Sequence, residues 1–198
     1  MDLILFESFQ IALAQGDRQL ATIELNAFIG SFVSLDEKAS WTRRYLANGN
    51  FGHKIRHELY EQIIFPVLLS GYRESDPWSL RWLERTSQNL YENKRIWSQV
   101  DWKTATQFAS DLFAACPTDN EARLSLLSHL VEWLRYSIHE WPAGILYGKD
   151  GATLDQCQEI FDEVEYTIRL DEERAHAAFL EDFKAKLAEY ARRLTLRP

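Results

Sequence analysis

The stretch TLDQCQEIFDEVEYTIRL, residues 153–170, opens with a helix-start signature and continues at the period of a helix. In Thr153-Leu-Asp-Gln156, the threonine oxygen and the glutamine side chain can each satisfy a backbone amide that the first helical turn leaves free. Beyond it, Leu154, Cys157, Phe161, Val164 and Ile168 recur at helical spacing and form an inward stripe, while Asp155, Glu159, Asp162 and Glu163 face water. No Gly or Pro interrupts residues 154–194, so a break near Leu170-Asp171 is expected to divide them into two helices of ordinary length.

The same punctuation extends toward the amino terminus. Pro117-Thr118-Asp-Asn-Glu121 reads as a stop followed by a capping box, starting a helix that runs to about Glu140 and ends at Trp141-Pro142. Asp76-Pro77 pairs an N-cap with proline at the first helical position and predicts a helix over 77–93; a further helix covers about 102–115. A helix over about 53–70 carries Pro66, which removes one donor and kinks its end, and Gly71 closes it. Ser34-Leu-Asp-Glu37 is another capping box, opening a helix near 35 that Gly49-Asn-Phe-Gly52 breaks. Residues 2–15 and 18–33 form a tight helical hairpin about Gly16-Asp17. Long alternating runs are absent, so the chain reads as one all-α domain, 1–198, of eight or nine helices in antiparallel hairpins, a bundle or a short solenoid-like stack. No period near 34 residues recurs, which argues against a tetratricopeptide array.

With 198 residues, 46% of them hydrophobic, the chain can bury one substantial core. Its net charge of −8 disfavours nucleic acid and anionic membranes and suits a basic partner. Eleven of the acids fall in residues 155–189 against four Lys or Arg, a local balance of −7 that makes the outer face after Thr153 an acidic ridge. Cys116 and Cys157 alone form no disulfide framework or zinc spacing, and the first residues, MDLILFESFQ, lack a basic signal-peptide start; a cytoplasmic protein without cofactor is expected.

Several patterns raise the question of catalysis. In GHKIRHELYEQ, residues 52–62, His53, His57 and Glu61 fall at i, i+4 and i+8, and these are acceptable zinc or iron ligands. The zincin order HExxH is not met, because the glutamate follows the second histidine. The same stripe continues into Ile64 and Leu68, as in an ordinary helix packed between neighbours. Glu173-Arg-Ala-His176 is a single ExxH where a di-iron bundle needs two, and His129 with Glu132 runs in reverse. Gly144-Ile-Leu-Tyr-Gly148-Lys149-Asp150 misses the phosphate-binding loop in spacing and in its final Ser or Thr.

The connection over 137–156 is long and Gly-rich, with His139, Glu140, Tyr147, Lys149 and Asp150 as polar candidates, and specificity is expected to concentrate in its loop at 141–153. Lys149 and Asp150 should project at its turn while Ile145 and Leu146 anchor its base. Trp78 and Trp82 share a helix face that needs a neighbour. The sequence thus points to a non-enzymatic protein that binds a basic protein partner through Asp155, Glu159, Asp162, Glu163, Tyr147, Lys149 and Asp150, in the manner of a bacterial-type immunity or inhibitor protein. The alternatives are a metal-dependent helical enzyme using His53, His57 and Glu61, and a helical scaffold for a peptide.

Overall fold

Side-chain caps set most of the helix starts in the computed structural model, which describes residues 1–49 and 55–196. Asp2 caps α1 (Leu3–Ala14), Asp17 caps α2 (Arg18–Gly30) and Ser34 caps α3 (Leu35–Asn48), each accepting an amide of the first turn. Among the described residues the chain is all-α apart from one short pair of strands, and it condenses into two compact units, Met1–Ala115 and Cys116–Pro198.

In the first unit, α1, α2 and α3 enclose an aromatic cluster. Phe28 is fully buried, Trp41 stacks on Tyr45 at 4.5 Å, and Phe6 meets both of their rings edge-on. The capping box at Ser34 is only half formed. Ser34 accepts from the Glu37 amide, but the Glu37 carboxylate turns instead to the Met1 amino group and, to a lesser extent, the Val33 amide, which hold it below its ordinary pKa.

The helix expected from residue 53 starts later. Ile55 and Arg56 are non-helical, α4 spans His57–Leu59, a π turn covers Tyr60–Ile64, and α5 runs from Phe65 to Arg73. The π turn absorbs Pro66: the proline has no N–H to give the Gln62 carbonyl four residues back, and that oxygen accepts from Lys38 Nζ at 2.8 Å. Gly71 does not close the helix. It lies inside α5, where a Cβ would collide with the Ser79 side chain.

The helix expected over 77–93 is divided into α6 (Pro77–Arg85) and α7 (Ser87–Tyr91). Thr86 breaks it: its hydroxyl donates to the Trp82 carbonyl and meets the buried Tyr60 hydroxyl at 3.0 Å, so a tertiary contact overrides helix periodicity. The Trp78–Trp82 face finds its cover within this unit, with the Arg43 guanidinium 4.2 Å from the Trp78 ring centroid and Trp82 buried. After α8 (Lys94–Trp97) and a 3-10 turn, Asp101 and Trp102 take positive φ, so α9 spans Ala105–Ala115 rather than starting at 102.

In the second unit, Asp119 and not Thr118 caps α10 (Asn120–Ser137), accepting from Glu121 and Ala122. A two-stranded hairpin follows, β1 (Leu146–Tyr147) pairing antiparallel with β2 (Asp150–Gly151). Then come α11 (Leu154–Leu170) and α12 (Ala177–Thr195). Both halves of the Thr153 capping box are present, and the expected break after Leu170 is fixed by the Asp171 carboxylate, which accepts from the amides of Ala175 and His176. Leu134, Ile145, Ile160, Val164, Leu180, Phe183 and Leu187 make the core. Arg123 is buried beside it and donates to the Leu170 carbonyl, closing the end of α11.

Candidate functional site

The connection over 141–153 is a loop whose base is pinned and whose tip is free. Ile145 is fully buried, the Ala152 amide donates to the Ile145 carbonyl at 2.8 Å, and Tyr190 of α12 donates its hydroxyl to the Ala152 carbonyl at 3.2 Å. Glycine fits closely where the loop crosses Tyr190, since a Cβ on Gly151 would lie 3.0 Å from that hydroxyl and push it aside by a few tenths of an ångström. Arg193 adds a second anchor, donating to the Pro142 carbonyl at 2.9 Å while its guanidinium sits 4.7 Å from the Trp141 ring centroid. Leu146, expected as an anchor, is only half-buried, because the strand turns its side chain to the rim; Ile145 alone fills the core position. Gly148 supplies the positive φ of the tip, and Lys149 and Asp150 project into solvent.

The acidic ridge runs beside this hairpin. Asp155, Glu159 and Asp162 occupy one exposed stripe of α11 at i, i+4 and i+7. Tyr147, on the hairpin, donates its hydroxyl to Glu159 Oε2 at 2.7 Å, so the loop and the ridge form one surface. That hydrogen bond, with the charges of Glu159 and Glu163, raises the tyrosine pKa by opposing a second negative charge. Glu163 departs from expectation: it is half-buried rather than facing water, and burial pushes its carboxyl pKa up. No cation pairs with it among the described residues. The inward stripe is also turned by about one residue. Cys157, Ile160, Val164 and Thr167 are buried, whereas Leu154 is exposed and Phe161 and Ile168 are only half-buried.

A groove of about 540 Å³ borders the other side of the hairpin, lined by Tyr136, His139, Glu140, Lys149 and Tyr190 among others. Tyr136, Tyr190 and Arg193 were not legible as site residues. They come from helices on either side of the loop in sequence, and no spacing rule links them to it.

His57 and Glu61 do meet, with Nε2 3.1 Å from Oε2, but in a hydrogen-bonded surface cluster. The glutamate's other oxygen takes the Arg95 guanidinium, the main cause of its lowered pKa, and Asn93 Nδ2 stands 3.2 Å from the same His57 nitrogen. His53 lies outside the described residues. The helical register that would have aligned it with His57 does not extend back past Arg56. Among the described residues, no group of three or more His, Cys, Asp or Glu side chains converges to hold a metal. Nor is any described helix long and apolar enough to cross a membrane. Comparison with protein-family models, curated proteins and solved structures finds no match.

Proposed function

We propose that this chain works by binding another protein, with the hairpin tip and the α11 ridge as one recognition surface, and that the partner presents a basic patch to it. The observation that carries this reading is the Tyr147–Glu159 hydrogen bond, which ties the exposed hairpin to a row of carboxylates. Such a surface attracts a cationic partner over a Debye length and then fixes its register at the tip. Glu163 favours the same partner: a half-buried carboxylate without a cation would be relieved by a lysine or arginine entering from outside. In its most specific form, the proposal is an immunity or inhibitor protein of bacterial type, acting in the cytoplasm by occluding a basic toxin or effector.

The test begins with capture of partners from source-cell extract on the full chain, followed by titration calorimetry with the purified candidate. Reversal of Asp155, Glu159 and Asp162 to Lys should abolish binding of a basic partner, and added salt should weaken the wild-type complex. A partner that binds the reversed protein equally well would remove the electrostatic reading.

A further inference from the structure

The amino-terminal hairpin shows an excess of exposed apolar side chains. Of the fourteen large hydrophobic residues found exposed in the described chain, eight lie between Leu3 and Leu35. On α2 they follow a rule. Leu20 and Ile23 are 41% and 57% exposed, and with the exposed Ala27 and Gly30 they occupy positions separated by three, four and three residues. That spacing is the seam of a helix packed on another helix. The opposite face of α2 is already used, with Ala21, Leu25 and Phe28 buried, so α2 carries two packing faces and only one is covered.

We propose that a second copy of this chain covers it, α2 lying antiparallel on α2 about a two-fold axis near Leu25. Size order along the seam supports this occupant. An antiparallel copy centred there sets Leu20 opposite Gly30 and Ile23 opposite Ala27, large against small at both levels, in both halves of the dimer. A Cβ built on Gly30 meets nothing within 4 Å, so the space that Leu20 of the other copy would fill is open.

Charge does not block it at the contact: two chains of net charge −8 repel wherever acidic faces meet, but the four seam positions carry no charged residue and Glu24 only borders them. A single pair of 13-residue helices buries less than the roughly 1,200 Å² at which stable specific interfaces begin, so the dimer is weak and reversible.

Sedimentation velocity of the full chain over a concentration series tests the proposal. The wild type should pass from monomer to dimer as concentration rises, and Ile23→Glu should remain monomeric with an unchanged melting curve. Gly30→Leu separates a fitted seam from general stickiness. It should weaken association at least tenfold by filling the space meant for Leu20, without lowering thermal stability, whereas a non-specific apolar patch would associate more strongly. A wild type that stays monomeric at the highest concentration, or a Gly30→Leu protein that dimerises as well or better, overturns the proposal. So does association that is seen only with a different protein and survives Ile23→Glu.

Discussion

Helices α2 and α11 are alike on the inside and opposite on the outside. Each starts at a side-chain cap and buries one stripe, Ala21, Leu25 and Phe28 in the one and Cys157, Ile160 and Val164 in the other. Outward, α2 shows an uncharged seam and α11 a row of carboxylates. The inner faces record folding, which any apolar side chain of suitable size serves. In the proposed dimer and the proposed partner complex the outer faces would serve differently: short-range fit in one case, a long-range field in the other. Salt separates them, weakening contacts made by α11 and leaving those made by α2 intact or stronger.

The contrast breaks most sharply on paired truncations. Ile160→Ala, emptying a fully buried position of α11, should cost about 2–5 kcal/mol. Ile23→Ala, on the outer face of α2, should stay within about 0.5 kcal/mol. Urea denaturation reads both, and equal costs would mean that Ile23 is not an outer-face residue at all. Next in size is Arg123→Met, which leaves the Leu170 carbonyl without its buried donor and should cost roughly 1.5–3 kcal/mol in the same assay. The caps should behave alike despite the different faces they serve: Thr153→Ala and Asp17→Ala are each expected to cost about 1 kcal/mol.

Glu163 sharpens the comparison through pH. Its carboxyl pKa is raised in the folded chain, so the native state binds a proton that the unfolded state releases first. The resulting stability is fully present below the ordinary glutamate range and is lost as pH rises through the raised value. Glu163→Gln should flatten that part of the pH–melting curve and raise the midpoint slightly at neutral pH, while weakening the basic partner. A variant whose curve parallels the wild type would show the side chain to be solvated. The smallest effect on stability belongs to the tip: Lys149→Ala and Asp150→Ala should change it by less than about 0.5 kcal/mol and reduce partner affinity. Ile145→Ala, rather than Leu146→Ala, should be the damaging change in this loop.

Much of the fold was legible because caps and breaks are local chemistry. Thr153 with Gln156, Asp76 before Pro77, and the stop at Asp171 all act within a few residues. What the sequence hid was tertiary. Thr86 lies in a good helical pattern and breaks it for a hydroxyl on Tyr60, 26 residues away. The α11 stripe was misplaced because Thr167 reads as polar, yet its hydroxyl is satisfied by the Glu163 carbonyl and can be buried. At the site, the ridge and the loop were each visible as composition. Their junction at Tyr147 and Glu159 was not, because it depends on how the hairpin twists, and neither was the Tyr190 beneath it.

The Lys38 contact to the Gln62 carbonyl makes two distant positions interdependent. Lys38→Met alone hands the exposed Gln62 carbonyl, which Pro66 cannot serve, to water, whereas in a Pro66→Ala background the restored amide can take the oxygen instead. The penalty for losing the lysine therefore depends on which residue stands at 66. Drift at one site changes what selection tolerates at the other, and lysine at 38 should be inherited together with proline at 66.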